Sequence, residues 1–148
     1  MIKEILQKLQ RNKREKNITF IVVLHSTINT QHKYSIVTEG VQFRIGDVYE
    51  GSGRAEIYLN GRWGTICNVY WDDADAEVFC RQLGDYVGGV QANPTTVGSS
   101  EQDIWMTRVE CVGNETDFLQ CEASWYPAQT QRCTHGNDAG VVCFKSGG

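Results

Sequence analysis

Six cysteines carry the most explicit chemistry in this 148-residue chain: Cys67, Cys80, Cys111, Cys121, Cys133 and Cys143. A thiol can ligate zinc, exchange electrons or close a covalent bridge, and spacing separates these roles. None of the six forms a C-x-x-C pair. An even set without that spacing points to three disulfides rather than a zinc site or redox pair, in any of fifteen pairings. Disulfides persist in oxidising compartments, so the chain is expected to be extracellular, either secreted or a cell-surface ectodomain.

Other reactive groups are sparse. The histidines are His25, His32 and His135, and no Gly-x-Ser-x-Gly elbow, His-Glu-x-x-His or phosphate loop occurs. Asp72, Asp73, Asp75 and Glu77 look like paired carboxylates, but an acidic, capped helix start explains them more simply. The chain is therefore read as non-catalytic.

The elements that position these residues follow from pattern. Val41 to Ile45 alternates at period two, as a half-buried strand does. Two further strands, 55–59 and 62–67, flank Asn60-Gly61, a pair suited to the positive φ angles of a type I′ turn. Asp72 or Asp73 caps a helix running to Leu83, with Gly84 at its exit. Ala76, Phe79, Cys80 and Leu83 share one face, which turns Cys80 toward the core. Residues 84–100, rich in Gly, Asn, Pro, Thr and Ser, read as a long irregular loop and a candidate contact surface. Strands resume at 104–109 and 140–143, with a short helix over 116–121.

Charge divides the chain. Residues 1–40 hold seven Lys/Arg against three Glu, net +4; residues 41–148 hold seven against fifteen Asp/Glu, net −8. The break places a boundary near Gly40. The basic extension has a loosely amphipathic start and an apolar run over 18–24. Its layout is signal-like, with a disordered or strand-forming extension as the alternative. Seven apolar residues fall short of the roughly 20 a spanning helix needs, so membrane attachment would require a missing or atypical anchor.

Several linked motifs resemble one family. Gly53-Arg54-Ala55-Glu56-Ile57, Gly61-Arg62-Trp63-Gly64-Thr65-Ile66-Cys67 and Val78-Phe79-Cys80-Arg81-Gln82-Leu83-Gly84 are similar to those of scavenger receptor cysteine-rich (SRCR) domains. So are Ile104-Trp105-Met106, Val109-Glu110-Cys111-Val112-Gly113 and Asp138-Ala139-Gly140-Val141-Val142-Cys143, over residues 41–144 in order. The eight-cysteine group would carry an extra bridge near Gly51 and Asp85; neither is Cys, so the chain resembles the six-cysteine group A. The resemblance implies Cys67–Cys133, Cys80–Cys143 and Cys111–Cys121. It implies one domain over 41–148, a small disulfide-rich α+β fold with a curved β-sheet cradling one helix.

The same resemblance implies binding without catalysis: pattern recognition in innate immunity, as in scavenger receptors, or protein–protein contact. A structural spacer, or an accessory domain of a larger secreted or membrane-bound enzyme, is the alternative. Many members hold Ca²⁺ with acids at positions where this chain has Asn68, Val69 and Asn137. A second acidic site would use Asp75, position 107 and Glu115, and Thr107 depletes it. A hard cation wants several charged oxygens, so only a weakened Ca²⁺ site is expected, with no other cofactor. Clustered arginines after the helix are replaced by Val87, Gly88 and Gly89, and the net charge disfavours nucleic acid. Expected partners are extracellular proteins or microbial and polyanionic surfaces. Asn114-Glu115-Thr116 is an N-glycosylation sequon, which would make the chain a glycoprotein, and Trp125-Tyr126, read as part of a loop between cysteines, is a candidate ligand contact.

Overall fold

The computed structural model describes residues 21–24, 34–37, 40–94, 98, 101–126 and 132–147. The chain divides into two compact units, Met1–Val41 and Gln42–Gly148. In the first, β1 (Ile21–Leu24) and β2 (Tyr34–Val37) pair antiparallel, with Ile21 opposite Val37. The basic amphipathic stretch over residues 1–17 lies outside the described residues.

The second unit is built on β3 (Gln42–Tyr49), β4 (Ser52–Leu59) and β5 (Arg62–Ile66), then helix α1 (Asp73–Gln82). After the helix come β6 (Gly88–Ala92), β7 (Asp103–Glu110), β8 (Glu122–Trp125) and β9 (Gly140–Phe144). These strands form one curled sheet in the order β6-β9-β4-β5-β7-β8, with β3 alongside β4. All neighbours are antiparallel except β5 and β7. Asn60 (φ 53°) and Gly61 (φ 80°) both take the left-handed conformation that a tight hairpin between β4 and β5 requires.

Helix α1 starts where its acids dictate. Asp72 accepts from the Asp75 N–H at 3.1 Å, and Asp75 accepts from the Asp72 N–H at 2.8 Å, a reciprocal capping box. Such a cap contributes about 1 kcal/mol. The helix also closes a sheet edge. Glu77 accepts the Gly89 N–H and Asp73 the Gln91 N–H, each at 3.0 Å, so the outward amides of edge strand β6 are satisfied.

Beneath the helix, Phe43, Trp71, Phe79 and Phe118 meet edge to face, with ring centroids 5.4 to 6.2 Å apart. Trp71 satisfies its indole N–H on the Gly140 carbonyl at 3.0 Å. Gly89 leaves room for the Cys80 sulfur, which a Cβ there would strike.

Three expectations need correction. The supposed loop over 84–100 contains β6, because α1 supplies the edge acceptors that a Gly-Gly strand could not secure alone. The helix expected over 116–121 is a single 3-10 turn, Phe118–Gln120, capped by Asp117 and ended by the extended Cys121. Trp125 closes strand β8 rather than lying in a loop.

Candidate functional site

Three disulfides fasten the sheet to what surrounds it. Cys80–Cys143 ties α1 to β9, with Cα atoms 5.5 Å apart. Cys67–Cys133 ties the end of β5 to the segment before β9, at 6.2 Å. Cys111–Cys121 closes the short loop between β7 and β8, at 4.6 Å.

Each acid expected to hold a cation has a structural occupation. Asp75 is 1% exposed, and besides capping α1 it accepts the Cys111 N–H at 2.7 Å. It therefore couples the helix start to the Cys111–Cys121 loop. Burial pushes its pKa up from 3.8 to about 7, against the two N–H donors that favour its charge. Glu115 accepts the Val112 N–H at 2.6 Å and the Gly113 N–H at 2.8 Å, one on each oxygen. Burial alone would raise its pKa, but these amides and the Arg81 charge outweigh that and lower it.

Arg81 completes the clamp. It pairs with Glu77 at 2.8 Å and donates to the Gly113 and Glu115 carbonyls at 2.8 and 3.2 Å. Glu115 does lie within ligand distance of Cys111 and Cys121, but both sulfurs are bridged and supply no thiolate. Thr107, 2% exposed, is buried and offers no accessible ligand.

At the first acidic position the backbone carries the contact: the Asn68 N–H donates to the Asn137 carbonyl at 2.7 Å. Val69 beside it is 37% exposed and brings no oxygen. The neighbouring Asp138 side chain is fully buried, accepting the Gly98 N–H at 2.7 Å and lying 3.1 Å from His135 Nδ1. His135 Nε2 lies 3.0 Å from the Gln102 carbonyl, so this histidine pins a loop to the sheet.

The sequence reading missed one buried ionic group. Glu56, with no exposed side-chain surface, contacts Arg44 at 2.6 Å and Arg54 at 2.7 Å. Arg54 also reaches Asp47 at 3.1 Å. Burial opposes the Arg54 charge, but Glu56 and Asp47 outweigh it and raise its pKa. The available signal was strand parity: Arg54 and Glu56 share a face of β4, and Arg44 lies directly across on β3. Arg44 also stacks over Trp63 at 4.1 Å, and Arg62 pairs with Asp103 at 3.1 Å. Four of the six arginines among the described residues are thus paired with carboxylates nearby.

Trp125, proposed as a ligand contact, is 2% exposed. Its ring packs in the interior, with its indole N–H lacking a partner among the described residues. Tyr126 stays at the surface, 38% exposed, edge-on to Trp105 at 5.5 Å. Asn114 and Thr116 of the sequon are exposed.

Together these features define a small, disulfide-stapled α+β domain whose conspicuous acids serve its own backbone. The family model for the scavenger receptor cysteine-rich domain matches residues 45–144. The chain belongs to that family, and its three bridges fit the six-cysteine type. It is 37% identical over 98 residues to human lysyl oxidase homolog 2, and 36% identical to the Pongo abelii protein of that name. In both cases 66% of this chain covers only 12% of the relative.

Among solved structures, the SRCR domain of mouse MARCO, in a dimeric form, matches at TM-score 0.54 and 40% identity. That match covers 70% of this chain and 88% of the other. The third SRCR domain of murine neurotrypsin matches at TM-score 0.60 and 35% identity, covering 73% and 100%. Domains of this family are non-catalytic modules, typically extracellular and protein-binding. Among the described residues, no helix is long and apolar enough to cross a membrane.

Proposed function

We propose that this chain is a non-catalytic extracellular recognition module that binds a protein partner without a divalent cation. The observation that carries the reading is the commitment of Asp75 and Glu115, whose oxygens all accept backbone N–H groups. Asn68, Val69 and Asn137 add no charge at the other site. Polyanionic and microbial surfaces are the weaker partners, because Arg44, Arg54, Arg62 and Arg81 are each paired with a carboxylate. Residues 41–148 are read as the single binding domain, residues 1–40 as its extension, and Asn114 as a glycan acceptor.

The fluorescently labelled full chain, applied to cultured cells, tests this. Saturable binding that survives EDTA and excess heparin, and is lost after trypsin treatment of the cells, is expected. Loss in EDTA would contradict cation independence, and competition by heparin would contradict a protein partner.

A second reading has its own support. The chain corresponds to 12% of lysyl oxidase homolog 2, so an accessory or spacer domain beside a larger enzyme is compatible with its size. No saturable cell binding under either condition favours that role.

A further inference from the structure

Among the described residues, five of the nine exposed large apolar side chains lie at one end of the sheet. Val48, Tyr49, Val87, Val90 and Phe144 are 56, 74, 57, 36 and 45% exposed. Strand register groups three of them, Tyr49, Val90 and Phe144. Tyr49 lies opposite Ser52, Ser52 opposite Val142, and Val142 opposite Val90, a row across β3, β4, β9 and β6. Phe144 lies opposite Gly88, and its carbonyl accepts the Val87 N–H at 2.8 Å. Gly89 and Cys143 face the helix, where Cys143 bridges to Cys80. Alternation therefore puts Val90, Val142 and Phe144 on the other face, away from α1.

A groove of about 630 Å³ opens beside this row, lined by Glu50, Gly51, Tyr86, Cys143, Phe144 and Lys145. Its floor must stay bare: Gly51 has φ 79°, and a Cβ there would come within 2.7 Å of the Cys143 carbonyl oxygen. Glu50 and Lys145 stand in the same groove, both exposed and of opposite sign. Neither forms an ion pair among the described residues, and the Lys145 ammonium rests 5.8 Å over the Tyr86 ring.

Exposed apolar side chains grouped on one surface and rimmed by charge mark a candidate association site. The charges on the rim select the occupant. A two-fold interface must complement itself, so a residue on one copy meets a different residue on the other, and reciprocally. A surface holding one unpaired acid and one unpaired base satisfies that rule, with Glu50 of each copy facing Lys145 of the other.

We propose that this end of the sheet is the interface of a two-fold homodimer, its apolar centre formed by Tyr49, Val90 and Phe144 and its rim by two symmetric Glu50–Lys145 pairs. A contact centred on three apolar side chains, between domains that each carry net −8, is weak, with a dissociation constant on the order of 10–100 µM.

Sedimentation equilibrium of the full chain, from about 1 to 500 µM, reads the association directly. Phe144→Ser should weaken dimerisation about tenfold or more. Glu50→Lys and Lys145→Glu, made singly, should each weaken it about tenfold, because each change touches both symmetric pairs. The double variant, Glu50→Lys with Lys145→Glu, should recover to within about twofold of the parent, since the pairs are restored with sign exchanged. Matching thermal midpoints among the variants separate lost association from lost folding. A monomer throughout the range, a dimer indifferent to these substitutions, or a double variant no tighter than either single would each overturn the proposal.

Discussion

Lowering the pH from 8 to 5 should stabilise this protein, and Asp75 is the reason. The Asp75 carboxyl is 1% exposed, and its pKa in the fold is about 7 against 3.8 for the free group. A group whose pKa is raised by folding contributes stability that is complete below the unfolded value and is lost as pH rises through the folded one. The window is therefore pH 4 to 7. A rise of this size, at about 1.36 kcal/mol per pH unit, makes the full effect on the order of 4 kcal/mol, of which about 3 kcal/mol falls between pH 8 and 5.

Burial is the leading cause, with the adjacent Asp72 charge working in the same direction. The N–H groups of Asp72 and Cys111 oppose both. Glu115 does not obscure the window, because its lowered pKa gives stability that is lost only as pH falls below the ordinary glutamate range. The assay is the urea midpoint at pH 8, 7, 6 and 5 for the parent chain and for Asp75→Asn. The variant turns one acceptor into a donor facing an amide, so its stability is lower at every pH; the slope is the readout. The parent should gain about 3 kcal/mol and the variant should be nearly flat. A flat parent profile, or equal slopes in both proteins, would refute the assignment of a buried, proton-binding Asp75.

Other substitutions probe the framework. Glu56→Gln leaves the buried Arg54 leaning on the exposed Asp47 and should cost about 3 kcal/mol by denaturant unfolding, more than Arg62→Gln, whose own side chain is mostly exposed. Replacing both cysteines of a bridge by serine should cost about 4 kcal/mol for Cys67–Cys133, which spans 66 residues. For Cys111–Cys121, which spans 10, about 3 kcal/mol is expected, so unfolding midpoints should rank in that order. Secretion from a mammalian cell should give a chain that loses mass on peptide N-glycosidase treatment, with that loss abolished at Asn114 by Asn114→Gln.

Much of the scaffold was legible because single residues specify local geometry. Asn60-Gly61 encodes its hairpin through two positive φ angles, and Asp72 with Asp75 encodes the helix start through two reciprocal hydrogen bonds. Cys80 read as inward-facing from helical periodicity, and it is fully buried. What stayed hidden depends on partners distant in sequence. Strand β6 needs Asp73 and Glu77 to satisfy its edge, so its own glycines suggested a loop. The parallel pairing of β5 with β7 has no local signature. Trp125 looked like a loop residue because its burial follows from pairing with Met106 on β7.

The candidate site was legible in composition and not in occupancy. The replacements at Asn68, Val69, Thr107 and Asn137 are visible in the chain itself. That Asp75 spends its second oxygen on the Cys111 N–H emerges only once β7 and the loop after it lie against α1, whereas Glu115 is claimed by the nearby Val112 and Gly113 amides of its own loop. An acid in a motif position has less to offer a cation once backbone amides have taken up its oxygens.

Whether the domain needs calcium is decided by titration calorimetry of the full chain. With CaCl₂ raised to about 5 mM, beyond the 10⁻⁴–10⁻³ M range of extracellular calcium modules, no saturable heat is expected. The thermal midpoint should likewise be the same in calcium as in EDTA. Saturable binding below millimolar concentration that disappears in Glu115→Gln would contradict a cation-independent domain whose acids are held by its own backbone.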